Sequence, residues 1–325
     1  VQDILSIAQA NLLTPMILCF VLGLAAALAR SDLSVPEAVA KGMSLYLLFA
    51  IGFKGGVAVA GHGLDPDLFA ALAAGVLLSA AIPFVAFVLL GLMTRLPVTD
   101  RAAVAAHYGS ISIVTFVTAT AVLAERGIAA EGYMVAVAAA MEAPAIVSAL
   151  WLIARSGGGA RMDAGLWREI LLNGSIVLLV GAFLIGIATG TEGLQRIDAF
   201  ITAPFQGVLC LFLLDMGLVA GRGLRGTRGV LGAGAVGFGL LMPPVGAALG
   251  LAFGMLLGLS PGGVALLMTL CASASYIAVP AAMRVALPEA NPSVYLTLSL
   301  GVTFPFNLIL GIPAYVAVAT AVAGG

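Results

Sequence analysis

The chain has 325 residues, of which 62% are hydrophobic and 9% charged, and its formal net charge is −1. An ordinary soluble domain carries roughly 25% charged residues, so a water-soluble protein with one core is excluded, and the charge gives no footing for nucleic acid. The 41 glycines and the low aromatic share of 7% suit helices packed closely in a membrane, where small residues let backbones approach.

A membrane helix needs about 20 predominantly apolar residues. On that rule the chain divides into ten spans, at about 11–29, 36–60, 67–94, 102–124, 131–154, 168–189, 198–220, 229–257, 262–286 and 293–321. The only stretch resembling a linker is 156–166, SGGGARMDAGL, too short to be a domain. Loops after the odd-numbered spans hold Arg30, Arg95, Arg101, Arg155, Arg161, Arg168, Arg222, Arg225, Arg228 and Arg284. The opposite side has only Arg126 and Arg196. Cytoplasmic loops collect Lys and Arg, so both termini are expected to face outward from an inner (plasma) membrane. The first apolar run lacks a basic leader, so no cleavable signal is expected. Cys19, Cys210 and Cys271 lie in apolar runs without CxxC spacing and suit packing.

Shifting the chain by about 162 residues puts Gly55 on Gly217, Ala58 on Ala220, Gly61 on Gly223 and Tyr133 on Tyr295. Each half holds five spans, an odd number, so the halves insert with opposite orientation. The expected fold is an all-α membrane protein of ten transmembrane helices in two inverted five-helix repeats, 1–155 and 167–325, with 156–166 a short cytoplasmic linker.

The same shift aligns two polar interruptions. HYGSISIVTFVTAT (107–120) lies in span 4 and LCASASYIAVPAAM (270–283) in span 9. Paired Gly/Pro-interrupted segments in matching halves point to a transporter's binding site, so helices 4 and 9 are expected to be broken. A break leaves backbone N–H groups unpaired at the start of the second half-helix, with a partial positive charge. Pro280 suits the first turn of such a half-helix because it has no N–H to orphan. Two such ends facing each other form a cradle for a small anion, helped by Ser110, Ser112, Thr115, Ser273 and Ser275. Counting 1.5 Å per residue puts Ser112, Ser275, Glu142 and the surroundings of Asn307 near the midplane.

Glu142, in AAMEAPAIV, costs about 2.5–3.5 kcal/mol or more at a helix centre, which marks it as a cation ligand or proton carrier. Lys54 and Asp215 lie at levels too different to pair, so Lys54 is expected to snorkel or bond carbonyls at Gly55 and Gly56. His62 is read as a solvated loop residue, and His107 as a residue near the break. No HExxH, GxSxG, Walker loop or metal-ligand cluster is present, so neither an enzyme nor a cofactor is expected.

IGFKGG (51–56), MEAPAI (141–146), ASASYIAVPAAMR (272–284), ANPSVY (290–295) and TFPFN (303–307) together resemble the sodium-dependent bicarbonate transporter (SbtA-type) family over essentially the whole chain. The resemblance implies a gate of spans 1, 2, 6 and 7, a mobile core of spans 3, 4, 5, 8, 9 and 10, a homotrimer and elevator-like movement. It implies a site at the crossing of spans 4 and 9. Gly109, Ser112 and Thr115 match the polar loop of the cyanobacterial carriers, and Ser273 and Ser275 match their serine cluster. Where that cluster continues with an acid and a further serine, this chain has Tyr276 and Ala278. Tyr276 thus joins the substrate-binding candidates, removing a potential cation ligand and narrowing the pocket. Glu142 stands where those carriers have the shorter Asp. The short linker lacks their long cytoplasmic insert, which speaks against a PII-like regulatory partner.

The expected function is sodium-coupled uptake of a small anion, bicarbonate first, with Glu142 and Asn307 at the cation. The alternatives are a proton- or sodium-coupled carrier of another small carboxylate or solute, and a non-transporting membrane sensor or assembly subunit.

Overall fold

The computed structural model describes residues 14–62, 66–142, 144–155, 172, 174–226, 231–276 and 278–324. Among these there is no strand. The helices are α1 (Pro15–Leu28), α2 (Glu37–His62), α3 (Pro66–Met93), α4 (Val98–Gly109), α5 (Ile113–Glu125), α6 (Met134–Ala140) and α7 (Pro144–Arg155). The second half continues with α8 (Gly174–Ile201), α9 (Phe205–Gly226), α10 (Ala233–Leu256), α11 (Pro261–Ala272), α12 (Ala278–Ala286) and α13 (Pro292–Ala323). Eight helical stretches among the described residues are long and apolar enough to cross a membrane. Two shorter apolar helices, α1 and α11, fall in the first and ninth predicted spans. The 156–166 linker lies outside the described residues, as does the side chain of His62.

Glycine decides how closely the outer helices approach. A Cβ on Gly23 of α1 would run into the Leu214 carbonyl of α9, and one on Gly217 into the Phe20 carbonyl. Gly56 of α2 meets the Phe183 carbonyl of α8 in the same way. Backbone contact of this kind needs a residue without a side chain, and it pairs α1 with α9 and α2 with α8. The remaining helices enclose α4, α5 and α11, which are almost wholly buried.

Two elements depart from a straight ten-span reading. The sequence predicts a loop after residue 189, but α8 resumes beyond a kink at Gly190 (φ 56°, ψ −152°) and continues to Ile201. Glycine tolerates that backbone, and the resumed segment is amphipathic. Leu194, Ile197 and Ile201 pack on Ala50 and Phe53 of α2, while Glu192, Arg196 and Asp198 are exposed. The other element is α13, whose Thr297–Thr303 and Asn307–Gly311 segments are π-helical. Wide turns of this kind are rare and gather at functional sites.

Candidate functional site

α4 and α11 are built alike. Each has 12 residues, and each ends on a serine whose backbone turns extended, Ser110 (φ −81°, ψ 170°) and Ser273 (φ −89°, ψ 164°). The helix after the first interruption starts on a capping side chain: Ser112 Oγ accepts from the Thr115 amide at 3.2 Å and from the Thr115 hydroxyl at 2.8 Å. Serine suits this place because its oxygen satisfies an orphan first-turn N–H. After the second interruption, Ser275 Oγ receives a long contact of 3.5 Å from the Val279 amide.

The two interruptions cross and are bonded to each other. The Ser112 amide donates to Ser273 Oγ at 2.9 Å, and the Ser275 amide donates to the His107 carbonyl at 2.7 Å. The Ser273 hydroxyl itself donates to the Leu270 carbonyl at 2.9 Å. Ser110, Ser112, Thr115, Ser273 and Ser275 are all buried. Gly109 ends α4 against Pro83 of α3, where a Cβ would overlap the proline ring. Thr118 and Thr120 bond their own helix, donating to the Val114 and Phe116 carbonyls.

Glu142 falls within the fifth predicted span, at a turn between two helices. α6 ends at Ala140, Met141 and Glu142 form a turn, and α7 opens on Pro144. Proline has no N–H and pre-sets the helical φ, so it opens a helix rather than extending one. Ser79 of α3 supports the turn by donating to the Met141 carbonyl at 2.6 Å. Glu142 is 5% exposed, and its Oε2 accepts from Ser110 at 3.0 Å. Among the described residues no basic side chain pairs with it.

Asn307 is brought to the site in another way than expected. Its amide donates to the Ala272 carbonyl at 2.8 Å, and its Oδ1 accepts from Tyr315 at 2.9 Å. Both ends of the side chain are therefore engaged in holding the C-terminal end of α11. The Tyr276 hydroxyl is buried beside Ser112, outside hydrogen-bonding geometry and without a partner among the described residues. Its ring meets Phe304 edge-on at 5.4 Å, and Phe304 meets Phe20 of α1 edge-on at 5.4 Å.

His107 is fully buried, donates from Nδ1 to the Ala103 carbonyl at 2.6 Å, and stacks on Tyr295 with ring centroids 4.4 Å apart. The Lys54 ammonium lies 5.1 Å from the centre of the Phe205 ring, a cation–π contact. Ser79, Tyr108, Thr303 and Tyr315 support the site without having been singled out in the sequence. Thr303 receives Tyr108 and donates to the Gly239 carbonyl at 2.7 Å. Its place in TFPFN is the one signal that could have found it.

Two ties join the halves at the far ends of the interrupted helices. Asp100 Oδ1 accepts from the Asn291 amide at 2.7 Å, between the starts of α4 and α13. Glu131 Oε1 accepts from the Ser260 amide at 2.6 Å, between the loop before α6 and the start of α11.

The sequence matches the family described as the Na+-dependent bicarbonate transporter superfamily over residues 15–320. No curated protein matches it.

Proposed function

Because the chain belongs to the Na+-dependent bicarbonate transporter superfamily, we propose that it is a secondary carrier taking up a small anion, bicarbonate first, together with sodium. The observation that carries this reading is the bonded crossing of two helix interruptions beside Glu142, a buried carboxyl without a basic partner among the described residues. The anion sits at the crossing against Gly109, Ser110, Ser112, Thr115, Ser273, Ser275 and Tyr276. Sodium sits at Glu142, where a cation supplies the charge that burial demands. Asn307 positions the α11 end of the site rather than contributing a free ligand.

The chain folds, in this reading, as ten spans in two inverted repeats, with helices 4 and 9 broken and 156–166 joining the halves. The like-built ends of α4 and α11 and the two ties at opposite helix starts support that symmetry. The pairs α1/α9 and α2/α8 form the gate and the remaining helices the core, in keeping with their separate packing. Binding of both ions neutralises the site and lets the core slide past the gate like an elevator. The carrier is a homotrimer of the inner membrane with both termini outward, consistent with its arginine distribution.

Purified chain in proteoliposomes tests this with labelled bicarbonate. Uptake driven by an inward sodium gradient is expected, and its absence with and without sodium overturns the substrate assignment. The lone carboxylate also favours a second reading, in which Glu142 carries a proton and the solute is another small carboxylate. Uptake driven by pH and indifferent to sodium selects that reading.

A further inference from the structure

Hydrogen-bond polarity at the crossing leaves one kind of partner missing. Ser112 Oγ accepts from both the amide and the hydroxyl of Thr115. A serine hydroxyl has two lone pairs and one proton, so these bonds fill its acceptor capacity and leave the proton unspent. Among the described residues the neighbouring Tyr276 hydroxyl has no hydrogen-bond partner. Among the described residues no hydrogen bond joins the two hydroxyls, so the Ser112 proton and the phenolic proton are both left over. Thr115, Ser112 and Tyr276 therefore form a row of donors that ends without an acceptor among the described residues. The amides of Ile113 and Val114 open α5 and have no acceptor within the helix. Buried polar groups nearly always find partners, and lipid supplies none.

We infer that Tyr276 is a substrate-contacting residue whose hydroxyl donates to an oxygen of the transported solute. The site then selects a small oxyanion, which presents acceptors, over a cation or a solute rich in donors. This rests on the carrier function proposed above and adds the chemical sense of the contact. The same residue lies where occupancy is felt by the outer helices. A solute held by the phenol fixes the ring that packs on Phe304, and Phe304 in turn packs on Phe20 of α1.

Tyr276→Phe keeps the ring and removes only the O–H. Two measurements on the full chain read the effect: bicarbonate uptake in proteoliposomes, and stabilisation of the detergent-purified protein against heat by bicarbonate or formate. In the variant, KM for bicarbonate should rise roughly tenfold to a hundredfold, the size of a lost hydrogen bond to an anion, with the maximal rate little changed. Stabilisation by both anions should shift to correspondingly higher concentration. Tyr276→Gln, which restores an N–H donor, should recover part of the affinity. Unchanged KM and unchanged anion stabilisation in Tyr276→Phe overturn the inference and leave the carrier function standing. Tyr276-dependent stabilisation without uptake keeps the inference and removes the transport function. If neither anion is transported or stabilises the parent protein, both fall.

Discussion

Glu142 is a buried carboxyl group that no basic side chain among the described residues faces. A buried ion without a partner is strongly destabilising, so the folded protein gains whenever a cation arrives beside it. Glu142→Gln keeps the shape and an acceptor for Ser110 while deleting the charge. We expect the half-saturating sodium concentration for uptake to rise by about tenfold or more, since a bond to a charged group is worth about 1.5–3 kcal/mol. The sodium-free protein should at the same time unfold at a higher temperature than the parent, because the uncompensated charge is gone. Unchanged sodium dependence would show that the cation is held elsewhere. Ser110→Ala should have a smaller effect in the same direction, about 1 kcal/mol for one hydrogen bond, read from the same sodium titration.

Among the elements, α11 shows how a helix end ties two halves together. Ser260 caps it by accepting from the Gly263 amide at 3.1 Å, and Glu131 from the other half receives both the Ser260 amide and, at 3.0 Å, its hydroxyl. Ser260→Ala removes the cap and the hydroxyl bond together. It should lower stability by about 1–2 kcal/mol, seen as a lower thermal midpoint in detergent. The polar run after Gly109 stood out in the sequence because small hydroxyl residues and a glycine interrupt an apolar stretch. Pro280 marks the start of the second in the same way. Glu142 was legible as a costly charge, but its turn was not, since the apolar run continues unbroken and Pro144 was the one warning. The π-helical turns of α13 were not read from the sequence, although Pro305 and Pro313, which lack a backbone N–H, stand just past them. Asn307 was found by depth, yet its engagement with Ala272 and Tyr315 depends on partners that only the fold brings near.

On the scale of the whole molecule, the proposed sliding of core against gate must carry Phe304 past Phe20, whose rings meet edge-on at 5.4 Å. A chain with Cys19, Cys210 and Cys271 replaced, and with Phe20→Cys and Phe304→Cys, offers a direct check. Bridging the new thiols with a short bifunctional reagent should stop uptake, while each single variant treated with the reagent should still transport. Continued uptake by the bridged protein would mean that α13 does not move past α1. The bonds between the two interruptions also impose an order of manufacture. The Ser112 amide and the His107 carbonyl are made early, but Ser273 lies 161 residues beyond Ser112, and Ser275 follows it. Lipid cannot stand in for them, because the hydrocarbon core offers no hydrogen bonds. A nascent chain halted after its first half therefore holds bare backbone polarity inside the bilayer, and quality control meets it as an unfinished protein rather than as half of a carrier.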